Sequence, residues 1–468
     1  MLRKTKIIST LGPASDSPEM VRSLIQAGAN IFRLNMSHAK HDWVRETAKT
    51  IRSVAAELGS NTGILLDTQG PAIRTGDIDA KLDLKVDDIL EFTVRGERSE
   101  EEYSVDVNYD GLINDINVGD TVLVDNGVIH LKVLEKTANK IRSKVLTPGS
   151  LGSRRHINLP GVKVNLPPLT EKDLADIKVG VEVGVDFVAL SFCREAKDIR
   201  ELRRVLDEHG CAARTIAKIE DQHAVSVIDE IIEAADAVMV ARGDLGVECP
   251  MEDLPIIQRR IVKTCLEVGT PVIVATHMLE SMIENPLPTR AEVTDVANAV
   301  FEQADAIMLS GETATGKYPT KCIEVFDTVA KRIERTGGAN YADAAEITDH
   351  RHKLVNSAVV LADSFDYATI VVFTRAGEMA EHVSHLRPKR AAIYAFAPSE
   401  TVVRSLSLNW ATEAIQMDFE EKPEATVAKA EKILLERGLV ESGYRLVVIS
   451  DILADQERFD SIHIRNVQ

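Results

Sequence analysis

Between Lys4 and Glu334 one unit recurs along this chain: a short apolar run rich in β-branched residues, a polar turn, then a segment with apolar residues at helical spacing. The runs fall at 5–9, 30–35, 63–67, 187–191, 215–219, 237–240, 272–275 and 306–309. Eight βα units are the number that closes a parallel barrel inside a ring of helices, so the first expectation is an α/β fold built on a (β/α)8 TIM barrel. Strands buried on both faces should be almost continuously apolar, as Val238-Met239-Val240 and Val272-Ile273-Val274 are.

One interval breaks the rhythm. The third run ends at 67 and the fourth begins at 187. Residues 72–166 hold short alternating stretches cut by Gly and Asp turns, with no long helical pattern, which predicts a small β-barrel domain inserted as a lid. An insertion in the third βα loop opens at the catalytic end of a barrel. The barrel domain is therefore expected at 1–71 and 167–336. After Gly337-Gly338-Ala339-Asn340, helical patterns at 352–364, 377–386, 400–407 and 424–437 separate apolar runs at 369–373, 391–395 and 446–449. Residues 337–468 thus read as a C-terminal α/β domain with a mostly parallel sheet.

Charge narrows the partners. With 55 Lys plus Arg against 73 Asp plus Glu, a formal net charge of −18 repels a polyanion, so nucleic acid is not expected. The five cysteines stand singly, without metal spacing, as reduced thiols do. No segment approaches the ~18 apolar residues of a membrane span. The expectation is a cytoplasmic protein without membrane contact.

Polar residues at the C-terminal ends of barrel strands face the active site, and here those ends are loaded. The second run places Arg33, Asn35 and Ser37 on one face, and the third ends in Asp67-Thr68 with Arg74 beyond. The fifth ends Lys218-Ile219-Glu220-Asp221, the sixth Arg242-Gly243-Asp244, the seventh Thr276-His277 and the eighth Ser310-Gly311-Glu312. Singly, each has a plainer reading, as an ion pair at a strand edge or a turn former. Their recurrence at one face points to a catalytic mouth. Glu220 and Asp244, on neighbouring strands, make an oxygen site suited to Mg²⁺ or Mn²⁺. Arg33, Arg74 and Lys218 around it suit a phosphorylated, carboxylate-bearing substrate and phosphoryl transfer, which needs positioned positive charge more than covalent help. The stretch Gly311 to Lys317 has P-loop spacing, but Tyr318 stands where a metal-binding hydroxyl belongs and Pro319 follows. It is not read as a phosphate loop.

These residues closely resemble the pyruvate kinase family over nearly the whole chain. The resemblance is carried by Arg33-Leu34-Asn35-Met36-Ser37-His38, Leu66-Asp67-Thr68, Ile73-Arg74-Thr75-Gly76, Asn158-Leu159-Pro160-Gly161, Lys218-Ile219-Glu220, Ala241-Arg242-Gly243-Asp244-Leu245-Gly246, Met278-Leu279-Glu280-Ser281-Met282 and Leu309-Ser310-Gly311-Glu312-Thr313-Ala314. It implies transfer of the phosphoryl group of phosphoenolpyruvate to ADP, in a cytoplasmic homotetramer. By the same resemblance Glu220 and Asp244 hold Mg²⁺, and Arg33, Lys218 and Thr276 are catalytic. Arg33, Lys218, Gly243, Asp244 and Thr276 bind phosphoenolpyruvate, and Asn35, His38, Arg74 and Arg155 face the nucleotide. Asn35, Ser37, Asp67 and Thr68 match ligands of a potassium ion. Departures are Gln69 and Ala72 where the family has Lys and a charged residue, Asp221 for Asn and His277 for Gln. They leave the degree of potassium dependence open. The effector loop, Thr374-Arg375-Ala376-Gly377-Glu378-Met379, lacks two of the family's hydroxyls and adds an acid, so activation by fructose bisphosphate is expected to be weak or absent. Two other readings stand beside this one: a barrel aldolase or lyase of pyruvate, and a paralogue that binds metabolites without catalysis.

Overall fold

The computed structural model describes residues 3–99, 101–345, 347, 349–454 and 457–468, with side chains described outside 451–459. Three strands begin the barrel: β1 (Lys6–Thr10), β2 (Ile31–Asn35) and β3 (Gly63–Asp67). The chain then leaves to form β4 (Leu82–Leu84), β5 (Ile89–Thr93), β6 (Tyr103–Asp106), β7 (Thr121–Val124), β8 (Ile129–Lys136), β9 (Lys140–Val145), β10 (Gly149–Leu151) and β11 (Ile157–Asn158). It returns for β12 (Phe187–Leu190), β13 (Arg214–Ile219), β14 (Ala237–Ala241), β15 (Val272–Ala275) and β16 (Ala306–Leu309). These eight barrel strands close in the order β1-β16-β15-β14-β13-β12-β3-β2, every ladder parallel. The eight runs of the sequence are its staves, each within a residue or two of its expected bounds.

The local reasons are visible in the caps. Helix Pro18–Ala27 starts where Ser17 Oγ accepts from Met20 N, and Pro18 supplies a φ already suited to the first turn. It stops at Gly28, whose φ of 116° lies in the left-handed region that a side chain resists. Helix Glu171–Val183 opens with a reciprocal capping box between Thr170 and Asp173. Asp173 Oδ1 also accepts from Gln69 N and Gly70 N, so the cap anchors the loop that leaves β3. Barrel and helices enclose a continuous apolar core that includes Ile7, Phe32, Leu66, Val188, Val240 and Val274. Each such side chain contributes roughly 1.5–3 kcal/mol on burial.

The inserted segment forms a curled six-stranded sheet in the order β11-β7-β8-β9-β5-β6, with β10 and β4 as a separate antiparallel pair. It has its own core around Leu90, Phe92, Val124, Leu131 and Ile141. The C-terminal sheet contains β17 (Ala368–Phe373), β18 (Ala392–Ala397), β19 (Thr412–Gln416), β20 (Arg445–Ala454) and β21 (Glu457–Asn466), ordered β19-β18-β17-β20-β21. Only β21 runs antiparallel, paired to β20. Neither β19 nor β21 stands out in the sequence, because both edge strands carry charges among their apolar residues.

This domain docks on the N-terminal ends of the barrel strands, the face opposite the loaded strand ends. Arg387 pairs with Asp305 at 2.6 Å, both buried, and Arg404 pairs with Asp186 at 2.8 Å. Lys6 Nζ donates to the Thr412 carbonyl at 2.5 Å, and burial pushes its pKa down to about 8.

Candidate active site

At the other face the strand ends and the lid enclose a strongly polar cavity of about 330 Å³. Arg33, Asn35, Ser37, Arg74, Arg155, Lys218, Glu220 and Asp244 all line it. Parallel strands with side-chain period two explain the convergence: Arg33 and Asn35 lie in the last three residues of β2, Lys218 is the penultimate residue of β13, and Glu220 directly follows that strand. Asp244 lies in the first turn of helix Arg242–Glu248, immediately after β14.

Lys218 is the centre of the buried charges. Its Nζ lies 2.9 Å from Glu220 Oε1 and 3.3 Å from Asp67 Oδ1, and donates to Ser191 Oγ at 2.6 Å. Burial works against the ammonium, but Asp67 and Glu220 overcome it and hold the pKa well above the usual lysine range. Asp67 is fully buried beneath the cavity and accepts from Arg33 Nε at 2.6 Å. Glu220 is 2% exposed and accepts from Phe192 N at 2.5 Å. Burial, with Asp244 adding like charge, outweighs Lys218 and raises the Glu220 carboxyl to about 7. The asymmetry has a simple origin: the ammonium faces two carboxylates, whereas Glu220 faces one ammonium and a second acid.

Thr276 lies beside this cavity rather than in its wall. Its hydroxyl accepts from Gly243 N and donates to the Ala275 carbonyl, each at 2.7 Å, and Arg242 Nη2 donates to its carbonyl at 2.8 Å. Thr276 and His277 have φ of 71° and 52°. A β-branched residue held there stores about 1–3 kcal/mol of strain, tolerated where neighbours fix the geometry. Gly243 leaves room: a Cβ there would meet His277 Cε1 at 3.2 Å and Thr276 Oγ1 at 3.3 Å.

The other sequence candidates divide. His38 is exposed on the turn after β2, outside the cavity wall. Thr68 is buried, donating to the Ala189 carbonyl at 3.0 Å and accepting from Ser191 N at 3.1 Å. Glu312 faces inward to accept from Leu279 N and Ser310 N, a loop-holding role. Lys317, the lysine of the declined phosphate loop, pairs with Glu284 at the surface. Sequence reasoning missed Ser191, although it ends the fourth run, and it missed the lid's Asp125, Asn126, Arg154 and His156, which line the cavity. Nothing local in 125–156 marks them, because only the folded lid brings them to the mouth.

The family model described as "Pyruvate kinase, barrel domain" matches residues 2–323, and "Pyruvate kinase, alpha/beta domain" matches 352–464. The chain is 40% identical to a pyruvate kinase of Bacillus licheniformis, covering 97% of this chain and 79% of that protein. It is 42% identical to plastidial pyruvate kinase 2 of Arabidopsis thaliana, covering 100% and 80%. Among solved structures it is similar to a pyruvate kinase from Cryptosporidium parvum, with TM-score 0.95, 33% identity, and coverage of 100% of this chain and 96% of that one.

Proposed function

The chain belongs to the pyruvate kinase family, and from that premise we propose how its barrel mouth moves the phosphoryl group of phosphoenolpyruvate to ADP. The family is metal-dependent, and the donor set here fits a divalent ion. Glu220 and Asp244 are neighbouring carboxylates, and the upward push on Glu220 marks a deficit of positive charge at that spot. Glu220 and Asp244 would hold Mg²⁺ or Mn²⁺, which neutralises phosphoryl and enolate oxygens when bound.

A β-phosphate oxygen of ADP forms a bond to phosphorus while the bond from phosphorus to the enol oxygen breaks, leaving its electron pair as an enolate. Lys218, kept protonated by Asp67 and Glu220, supplies fixed positive charge to the transferring group and then to the enolate oxygen. Arg33, locked onto Asp67, adds a second cation that needs no reorganisation. Arg74 and Arg155 are assigned to the nucleotide phosphates, with Asn35 and His38 on the same side. Protonation of the methylene carbon then gives pyruvate, and the Thr276 hydroxyl, oriented by Gly243 N, is assigned to that end of the substrate together with Gly243 and Asp244.

The potassium reading rests on donor chemistry: Asn35, Ser37, Asp67 and Thr68 all offer oxygen. Asp67 is already engaged by Arg33 and Lys218, and Asn35 Oδ1 accepts from Ser37 N at 3.1 Å. Potassium would compete with these bonds, so it is proposed as a stimulator. A homotetramer is proposed from family likeness, with exposed Met251, Ile256 and Leu287 as apolar surface suited to self-association. Among the described residues no helix is long and apolar enough to cross a membrane. A cytoplasmic location is proposed from unpaired cysteines, although some similar proteins are plastidial.

The observation that carries the mechanism is the buried ammonium of Lys218 set between two carboxylates at the mouth. Turnover of phosphoenolpyruvate plus ADP, coupled to lactate dehydrogenase, tests it. Pyruvate should form in step with ATP, and Lys218→Met should slow both by about 10²-fold or more; equal turnover by that variant would overturn the assignment.

A further inference from the structure

A second cavity, of about 300 Å³, lies between the lid's return segment at 157–166 and the barrel, sharing Phe192 and Glu220 with the catalytic one. Its wall carries three carboxylates beside Lys163, Arg194, His156 and His223. Asn158 is only 6% exposed and lines the cavity, yet its Oδ1 has no hydrogen-bond partner among the described residues, while its Nδ2 donates to Glu248 Oε1 at 2.8 Å. An orphaned buried acceptor costs about 1–3 kcal/mol unless something fills it. Glu248 is 9% exposed, and Asp221 adds a further carboxylate.

The cations in the wall are committed elsewhere. Arg194 donates to the Val164 and Leu166 carbonyls at 2.9 and 2.6 Å, Lys163 pairs with Glu195, and His223 Nε2 lies 3.4 Å from the same Glu195 carboxylate. Burial raises the Glu248 carboxyl to about 7, with Asn158 as its main relief and no cation compensating it. What the cavity lacks is a donor that carries positive charge. The apolar residues in the same wall favour an organic cation over a bare ion. Ile73, Leu159 and Leu166 supply an apolar wall for its carbon chain.

We propose that this cavity binds a small alkylammonium compound, its nitrogen donating to Asn158 Oδ1 and the Glu248 carboxylate and its chain lying along Leu159 and Leu166. Such an occupant ties the lid's return segment to helix Arg242–Glu248, whose first turn carries Asp244. The site needs no assumption about catalysis, so its test reads binding alone.

Isothermal titration of the full-length protein with 1,4-diaminobutane at pH 8 and saturating Mg²⁺ should give saturable binding, with 1,4-butanediol giving none. Glu248→Gln should weaken binding about tenfold or more, the worth of one charge-assisted bond. Undiminished binding by Glu248→Gln, equal binding of the diol, or absence of binding by the wild-type protein would each overturn the proposal. Should Glu248→Gln fail to fold, hydrogen exchange on the wild-type protein decides. Diamine-dependent protection at 157–166 and 242–248 supports the site, and protection elsewhere or none refutes it.

Discussion

Lys218 and Glu220, two residues apart at the end of β13, bring Nζ and Oε1 to 2.9 Å inside a buried site that also holds Asp67. Deleting the ammonium removes positive charge from the reacting oxygens and strands two buried acids. For Lys218→Met we expect kcat to fall about 10²–10³-fold or more, with stability lower by about 3–5 kcal/mol. Lys218→Arg separates the effects, restoring much of the stability without the activity. Coupled turnover and thermal melts on both variants check this; a Met variant as stable as wild type would show that the charges are not buried together.

Metal removal should expose the state of Glu220. Its folded pKa, about 7, lies above the ordinary carboxylate value because burial and Asp244 disfavour its charge. The folded chain therefore keeps this proton to higher pH than the unfolded chain does. This group's contribution is present below about 4.5 and is lost as pH rises through 7. A divalent ion at Glu220 and Asp244 offsets that loss. The rise in melting temperature on adding Mg²⁺ to chelator-treated protein should thus be larger at pH 8 than at pH 5.5. An equal rise at both would remove the ion from Glu220.

Much of this was legible from residues, for identifiable reasons. Barrel strands announce themselves because they are buried on both faces, as Val238-Met239-Val240 shows, and the catalytic ends because polar groups follow such runs directly. Edge strands β19 and β21 stayed hidden, since their one-sided burial admits residues such as Glu413 and Arg465. The lid's share of the cavity, Asp125 and Arg154 among it, depends on where a whole domain comes to rest, which no local pattern encodes. The bond from Gly243 N to Thr276 Oγ1, across neighbouring strand ends, likewise emerges only in the fold; resemblance implied no more than that both residues meet the substrate.

Potassium should stimulate without being indispensable. Asp67 already has Arg33 at 2.6 Å and Lys218 at 3.3 Å, and Ala72 adds no charge to the loop beyond Thr68. Steady-state turnover should rise when potassium is added to a potassium-free buffer and remain measurable without it. A rate unchanged between the two buffers would refute binding.

His385 predicts acid sensitivity at the joint between barrel and C-terminal domain. Its Nε2 lies 2.7 Å from the Leu266 carbonyl and donates to it, while His352 and His382 cluster on its domain and Arg387 adds positive charge. Burial first, then these charges, push its pKa down to about 4. The unfolded chain binds this proton between about 6.5 and 4 and the folded chain does not, so stability is full above 6.5 and falls towards 4. The gap of about 2.5 units corresponds to about 3 kcal/mol. Urea melts at pH 7 and pH 5 should show the loss, and His385→Gln should flatten it. An unchanged slope in that variant would place the acid sensitivity elsewhere.

The loop at 374–379 should not answer to a sugar bisphosphate. Thr374 Oγ1 accepts from Gly377 N at 2.8 Å, which spends a hydroxyl that could otherwise meet a phosphate, and Arg375 stacks over Phe419 with 5.2 Å to the ring centre. Glu378 and Glu381 stand in the first turn of helix Glu378–His385, where an anion would otherwise find the positive end of the helix. Glu381 is already paired with Arg214, but Glu378 repels a phosphate that the backbone amides alone would attract. Micromolar fructose bisphosphate should leave the phosphoenolpyruvate saturation curve in place. A leftward shift of about fivefold or more, the lower end of ordinary allosteric coupling, would sink the prediction.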